Sequence, residues 1–357
     1  MTDQGQMGGS GPAVAVRPAP AESHPAGAGS GVPARRTPAL RAKAASMLQR
    51  QGAVVALVAV CIFGFARYAT FLTEENLWNV LRQNSVLGFV ALGMTMVILT
   101  GGIDLSVGSV LALGGMTAAY LSGYGTLAAV AGGLGVGALA GTLNGVLITR
   151  ARIQPFIVTL AMMIAVRGLA LGVNNENSVR VDRGAEGLMW LGRGRLFGGL
   201  PVQVLLAALA FAAGWIVLRY TRFGRYVYAA GDHQDAARLL GLKVDRVLIA
   251  TYAISGVLAA LAGVVLAGRL GAGQPSAGNG IELDAIAAVV VGGTLLSGGQ
   301  GGVGSTVVGV LLLGVIFNLF NLEGTITPWW QGVLRGVFLL AVVVVQARLQ
   351  KRAAHGG

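Results

Sequence analysis

One carboxylate, Asp104, stands in a glycine-broken stretch between two long apolar runs. The stretch reads LTGGIDLSVGSVLALGGM and covers residues 99–116. A lone acid at membrane depth is costly unless it faces water, a partner or backbone donors. The pattern therefore allows two roles that can coexist. Asp104 could cap a helix that starts near Ser106, or it could line a path through the membrane.

Two glycine-rich motifs resemble each other across the chain. The pattern of residues 100–109 recurs, one residue shorter, at residues 297–305. Each motif predicts a broken helical hairpin, and paired broken segments are typical of translocation sites, because free backbone groups are tolerated at that depth only beside a cavity or protein. Alternatively, the small residues only let helices pack closely. The glycines at the predicted breaks are Gly101, Gly102, Gly108, Gly298, Gly299 and Gly304.

The residues needed for metal or nucleophile chemistry are missing from the apolar runs. The three histidines, His24, His233 and His355, lie outside these runs, and the single cysteine excludes an internal disulfide. The segment GGQGGVGST resembles a phosphate-binding loop, but Ser305 stands where that loop requires lysine. We expect no metal site, no catalytic residues, no cofactor and no ATP site.

The composition predicts a protein that crosses a membrane many times. Of 357 residues, 54% are hydrophobic and only 11% are charged, with a mean hydropathy of +0.71. A soluble core could not bury that much apolar surface. The net charge of +12 comes from basic residues scattered between the apolar runs, which indicates membrane topology rather than nucleic acid binding.

Ten apolar runs are candidates for membrane spans of roughly 20 residues. They predict an all-α fold, namely a polytopic transmembrane helical bundle of about ten spans with broken helices. Two of the runs are short. The runs cover residues 53–70, 83–100, 105–122, 126–149, 155–173, 201–218, 247–268, 286–298, 303–320 and 331–347.

The flanking segments and loops predict the topology. Residues 1–50, rich in Gly, Pro, Ala and Ser, are predicted to be a disordered cytoplasmic tail. A cleaved signal peptide fits less well, because the apolar run begins only near Gly52. Basic residues concentrate in this tail, in the loop 219–246 and in the C-terminal tail 348–357, which places both termini in the cytoplasm. The transmembrane domain is predicted to cover residues 51–347.

The loop 219–246 contains a predicted short helix with an N-cap at Asp232 and a glycine stop at Gly241. It is too polar to enter lipid. It could lie on the bilayer surface as an inert connector, or it could dock into a groove on a soluble partner. For docking, Ala236 and Ala237 would allow close approach, and Leu239 with Leu240 would supply apolar contact.

Several motifs together resemble one family. They are GGIDLSVGS, the run QPFIVTL at residues 154–160 followed by Arg167-Gly168, the pair Asn144-Gly145, and the loop motif TRFGR with the alanines and glycine after it. In this order they are similar to the membrane permease of ribose-type bacterial ABC sugar importers. The resemblance extends from about Asn76 to Gln346.

The resemblance implies a set of partners and a role for the short helix. An importer of this kind pairs the permease with a second copy or a homologue, two cytoplasmic ABC ATPase subunits, and a periplasmic or lipid-anchored sugar-binding protein. The short helix corresponds to the coupling helix that inserts into the ATPase, although Asp232-His233 and Leu240 depart from the usual family residues. Its carried-over residues are Asp232, His233, Asp235, Ala236, Ala237, Leu240 and Gly241.

The resemblance therefore implies a multi-pass permease of the bacterial inner membrane that is not itself an enzyme. It would conduct a monosaccharide or small polyol by alternating access, with ATP bound by the partner. We expect the path to be lined or bordered by the polar residues Asp104, Ser106, Asn144 and Asn318. The alternative is an ion-coupled secondary transporter in which Asp104 takes up a proton or cation. No residue selects one sugar, or a homodimer over a heterodimer.

Overall fold

The structure, a computed structural model, describes residues 38–324 together with 327, 329–330, 332–334, 336–337, 340 and 344, with side chains described from Gly52 onward. Residues 1–37 of the predicted tail, most of the last predicted span and the tail 348–357 lie outside the described residues. The first helix begins at Pro38, inside the predicted tail. Residues 39–50 favour this because they are mostly good helix formers such as Ala, Leu, Arg, Lys and Gln.

Within the described residues the fold is all-α, as predicted, with four two-residue strands. The strands form two antiparallel pairs, β1 with β4 and β2 with β3. In chain order the elements are α1 Pro38–Arg67, α2 Glu74–Leu99, α3 Val107–Leu121, a 3-10 turn Ser122–Tyr124, α4 Thr126–Arg150, α5 Pro155–Gly172, β1 Val179–Arg180, α6 Glu186–Arg193, β2 Arg195–Leu196, β3 Leu200–Pro201, α7 Val202–Tyr220, α8 Arg222–Asp232, α9 Gln234–Leu239, α10 Val244–Leu270, β4 Ala272–Gly273, α11 Ile281–Val291 and α12 Val303–Glu323.

The predicted apolar runs divide into helices of different lengths. Six described helices, α2, α4, α5, α7, α10 and α12, are long and apolar enough to cross a membrane. The apolar part of α1, Gly52–Arg67, is shorter. Helices α3 and α11 have 15 and 11 residues, too few to span a bilayer. The prediction of a broken helix at the first glycine motif is therefore confirmed at α3, whereas α11 lies before the second motif.

Helix α10 forms the centre of the bundle and packs against α4, α3 and α2. The approach to α4 depends on glycines, because a Cβ atom on Gly137 would overlap the backbone of Gly256, and one on Gly256 would overlap Gly137. A pair of buried hydroxyls, Thr95 Oγ1 and Thr306 Oγ1, joins α2 to α12 at 2.7 Å. Close backbone packing and interhelical hydroxyl bonds are the usual means of helix association in membranes.

The bundle has two ends, named here after the short helices that mark them. At the α6 end, Gly192 packs against Gly268 and Arg269, near the end of α10. At the α9 end, α8 and α9 directly precede the start of α10, and Gly231 lies against Leu99, the last residue of α2.

Helix α3 starts near the middle of the bundle, not at either end. Just before it, Asp104 is hydrogen-bonded to Ser255 of α10. Ser255 is about 16 Å from the first residue of α10 and about 22 Å from the last, at 1.5 Å per residue. Helix α11 also starts at this depth, because Gly278 and Glu282 lie against Gly108 in the first turn of α3. The two short helices thus begin beside each other.

Candidate functional site

Three of the four predicted path residues form one buried hydrogen-bond network. The Asp104 Oδ1 atom accepts from Ser106 N at 3.1 Å and from Ser106 Oγ at 2.6 Å. Ser255 Oγ donates to the other carboxylate oxygen at 2.9 Å, and Asn144 Nδ2 donates to Ser106 Oγ at 2.9 Å. The network joins the start of α3 to α4 and α10.

The geometry of Asp104 matches the capping interpretation. Ser106 is the residue before α3, its own side chain makes no capping bond, and the carboxylate of Asp104 takes up its N–H group. A carboxylate at a helix start also interacts favourably with the helix dipole. Asp104 is 1% exposed in this subunit and Asn144 is fully buried, so neither presents a surface to a solute.

Ser255, a member of the network, and Tyr252, which lies close to Gly102, were not predicted. Both lie on α10 and are fully buried, and the Tyr252 hydroxyl occupies the space that a side chain on Gly102 would need. Among the described residues, Tyr252 OH and Asn144 Oδ1 have no hydrogen-bond partner. The available signal was the sequence TYAIS inside an otherwise apolar run.

The fourth predicted residue, Asn318, lies elsewhere. Its side chain exchanges two hydrogen bonds with Asn76 on α2, at 2.8 and 3.1 Å. Asn76 is in the first turn of α2 and Asn318 is near the end of α12, so this amide pair lies toward the α6 end. The structure therefore separates Asn318 from the Asp104 network.

The two glycine motifs meet at the α9 end. Gly299 N donates to Leu99 O at 3.0 Å, and a Cβ atom on Gly298 would lie 2.9 Å from Gly101 N. Gly101, Gly298 and Gly299 have positive φ angles of 79°, 88° and 72°, which suit glycine.

The predicted symmetry between the two motifs is only partial. The second motif leads into α12, which runs unbroken for 21 residues. Gly304, in its first turn, has open space around its Cα atom, whereas Gly108 touches Gly278 and Glu282. The short helix that meets α3 is α11, because the irregular segment that precedes α11 extends to mid-depth.

The loop 219–246 forms two helices, α8 and α9, where one was predicted. Asp232 is the last residue of α8, so the prediction that it is the N-cap is wrong. The N-cap of α9 is His233, whose Nδ1 accepts from Ala236 N at 3.2 Å. Gly241, with a φ angle of 81°, follows the end of α9 as predicted. An imidazole nitrogen replaces the expected carboxylate because the chain turns one residue later.

Helix α9 turns one face to its own chain and the other outward. Ala237 is buried against Ala230, Val244 and Leu248, so its methyl group is not available to a partner. The side chains of Asp235 and Ala236 are exposed. Leu239 and Leu240 are 89% and 82% exposed.

Helices α8 and α9 are attached to both glycine motifs. A Cβ atom on Gly231 would overlap Leu99 O, so α8 and the end of α2 are in backbone contact. Gln234 Nε2 donates to Thr100 O at 3.4 Å, and Tyr228 OH donates to Gly301 O at 3.0 Å. Helices α8 and α9 together therefore contact the turns that precede α3 and α12.

A cavity of about 470 Å³ lies between α1 and α12, away from these contacts. Its lining is apolar except for Tyr68 and Glu323, and these two side chains are hydrogen-bonded to each other. It offers few partners for a hydroxyl-rich solute. The Asp104 network and the α9 end remain the candidate functional parts.

A helical bundle with two half-helices that start side by side at mid-depth is typical of membrane transport subunits. Residues 76–343 match the family model described as branched-chain amino acid transport system / permease component. The chain belongs to this family of transport permeases.

Curated relatives agree with the resemblance found in the sequence. The chain is 42% identical to the ribose import permease protein RbsC of Escherichia coli (strain K12) over 307 residues, 85% of this chain and 95% of the relative. It is 41% identical to RbsC of Bacillus subtilis (strain 168), over 85% and 94% of the two chains. The xylose transport system permease protein XylH of Escherichia coli (strain K12) is 33% identical, over 84% and 92%. No solved structure gives a significant match.

Proposed function

We propose that this chain is the permease subunit of an ABC importer that conducts a monosaccharide or a related small polyol. The family supports the role of permease. The relatives, which are permeases for ribose and xylose, support the class of solute. The observation that carries the proposal is the pair of helices α8 and α9, which contacts the turns preceding α3 and α12. At the end of α9, Leu239 and Leu240 are exposed.

The energy source would be a cytoplasmic ATPase that binds α9. Leu239 and Leu240 would enter an apolar groove on that subunit, as amphipathic helices do in other complexes. Two ATPases would drive a pair of permeases, each this chain or a homologue, and a sugar-binding protein would deliver the solute at the α6 end. ATP would be bound by the partner, and this chain would need no cofactor. The α9 end and both termini would face the cytoplasm of a bacterial cell.

The transport step would be a shift between two packings of the same helices. When the ATPases close, α9 and α8 move together, because Ala237 and Ala230 pack in one cluster. The contacts of Gln234 with Thr100 and of Gly231 with Leu99 pass that movement to the turn before α3. Asp104 keeps the start of α3 attached to α10 during the shift.

The burial of Asp104 supports this importer over an ion-coupled transporter. A carboxylate that loads a proton or cation with each solute must meet water in one state of the cycle. Here the carboxylate oxygens are occupied by Ser106 and Ser255, deep in one subunit.

The test is reconstitution with candidate ATPases and a binding protein, using the substitution Leu239→Glu. A charge on this exposed side chain should abolish assembly with the ATPase and ATP-driven uptake, because it would be desolvated in the contact. The melting temperature of the isolated subunit should stay unchanged, since Leu239 is 89% exposed. Ala237→Glu would be a poorer probe, because its methyl group packs within the chain.

The matched control is Tyr124→Glu, which puts the same charge on a side chain 82% exposed at the α6 end. This control should assemble with the ATPase normally. Full assembly and uptake by the Leu239→Glu protein would contradict the coupling role. Gradient-driven uptake by this chain alone would overturn the importer.

A further inference from the structure

Residues 274–280 run through the bundle without regular secondary structure. They follow β4, whose Gly273 lies against Met116, and they reach Gly278, which lies against Gly108. The two levels are eight residues apart on α3, about 12 Å along its axis. The segment therefore descends from the α6 end to mid-depth, where α11 begins.

Polar side chains of this segment face out of the subunit. Gln274, Ser276 and Asn279 are exposed, and Glu282, in the first turn of α11, is partly exposed. Irregular backbone and amide side chains are not tolerated against lipid, because their hydrogen-bonding groups would have no partners there. The surface must face water or protein.

An arginine of the neighbouring helix holds this segment in place. Arg167 on α5 donates from Nη1 to Pro275 O at 2.6 Å and to Ala277 O at 2.9 Å. Glu282 is close enough to interact with the same guanidinium electrostatically. An arginine within a membrane-spanning helix is retained at a cost, so a positioning role explains it.

We propose that residues 274–282 form the polar wall of the translocation path and that Arg167 is its positioning residue. This proposal rests on the permease function proposed above. The solute it fits is uncharged and rich in hydroxyl groups. Amide, hydroxyl and carboxylate side chains supply both donors and acceptors, and the charges of Arg167 and Glu282 offset each other. None of these residues belongs to the buried Asp104 network.

The test uses the fact that the chain has a single cysteine. In a Cys61→Ala background, Asn279→Cys and Ser276→Cys are each treated with a cationic, membrane-impermeant thiol reagent in the reconstituted transporter. We expect both to react, and we expect labelling to block uptake. The loaded binding protein with ATP should change the labelling rate, because the path then changes its access.

The control is Phe63→Cys on the apolar face of α1, where the native side chain is 58% exposed. It should not react, because lipid excludes the charged reagent. An unreactive Asn279→Cys in every nucleotide state would overturn the proposal, and so would a disulfide between two copies at this position, which would show that the partner permease covers the segment.

Arg167 is tested by Arg167→Met and Arg167→Lys, with Asn279→Cys as reporter. Methionine removes both bonds to the carbonyl groups, so uptake should fall by about tenfold or more, and the labelling rate of Cys at position 279 should change. Lysine keeps a charged donor and should recover part of both. Unchanged labelling and uptake in the methionine protein would remove Arg167 from this role.

The results separate this proposal from the function proposed above. If the Cys61→Ala protein shows ATP-driven uptake but Asn279→Cys does not react with the thiol reagent, only the proposal of the polar wall is wrong. If ATP drives no uptake, the importer is wrong, and reaction of Asn279→Cys still reports whether water reaches the segment.

Discussion

Asp104 receives three hydrogen bonds from uncharged donors, and no salt bridge compensates it among the described residues. Its neighbours on α10 and α4 are serine, tyrosine and asparagine. A carboxylate held only by such donors is sensitive to their loss, since each buried polar group left without a partner costs about 1–3 kcal/mol.

We predict that Asp104→Asn is mild and that Asp104→Leu is severe. Asparagine has nearly the same shape and keeps an acceptor for Ser106, whereas leucine leaves the donors of Ser106 and Ser255 unpaired. Leucine should destabilise the subunit by roughly 2 kcal/mol or more. The measurements are the melting temperature of the purified subunit in detergent and the uptake by the same protein. Normal melting with complete loss of uptake in the asparagine protein would instead indicate a carboxylate that acts on the solute.

At the scale of residues, the sequence pointed to the buried carboxylate of Asp104 but to an incomplete set of its neighbours. Asp104, Ser106 and Asn144 were predicted together because each is a polar residue in an apolar run, and the structure brings them together. Asn318 met the same criterion, yet it pairs with Asn76. Ser255 and Tyr252 were missed because hydroxyl groups are common in membrane helices and carry little signal by themselves.

At the scale of elements, the contact between α4 and α10 is the most extensive helix contact described. It depends on a face of glycines, of which Gly137 is the clearest, because the opposite backbone occupies the space of a Cβ atom. Two residues earlier on α4, Gly135 has open space around it. One helix thus offers a pair of glycines with opposite surroundings.

We predict that Gly137→Ala destabilises the subunit and that Gly135→Ala does not. The added methyl group at residue 137 forces α4 away from α10, with an overpacking cost of about 1–3 kcal/mol. Melting temperatures in detergent compare the two. Equal melting of both proteins would show that the helices can separate at no cost.

Helix boundaries were predictable where apolar runs were long, and less so where short elements meet. The half-helix α3 was predicted from its glycines, but its partner was assigned to the wrong motif, because α11 ends before residues 297–305. Sequence similarity between residues 100–109 and 297–305 reflects two turns that pack against each other, not two equivalent helices. The descent of residues 274–280 was not predicted, because a polar stretch between spans is typical of a surface loop.

At the scale of the whole molecule, the distribution of charge predicts the orientation in the membrane. The loop 219–246 carries Arg and Lys, which favours the cytoplasm for the α9 end. Residues 174–200, toward the α6 end, also contain four arginines, so the difference in positive charge between the two ends is reduced. Labelling of side chains at the two ends measures this orientation directly.

We predict opposite labelling of Phe197→Cys and Leu239→Cys in a Cys61→Ala background. The native side chains are 100% and 89% exposed, at the α6 end and the α9 end respectively. In cells whose outer barrier is permeable, an impermeant maleimide should label residue 197 at once. Residue 239 should be labelled only after the inner membrane is broken. The reverse pattern would invert the topology.

The short pairing of β1 with β4 links two parts of the chain that are far apart in sequence. β1 belongs to the segment after α5, and β4 directly precedes Gln274. A further backbone bond, from Val181 N to Gly271 O at 3.0 Å, strengthens the join. A protein that binds the segment after α5 would therefore pull on β4, the strand that directly precedes residues 274–280. Docking of a loaded binding protein on this segment would in this way displace residues 274–280 at mid-depth, without any helix having to slide.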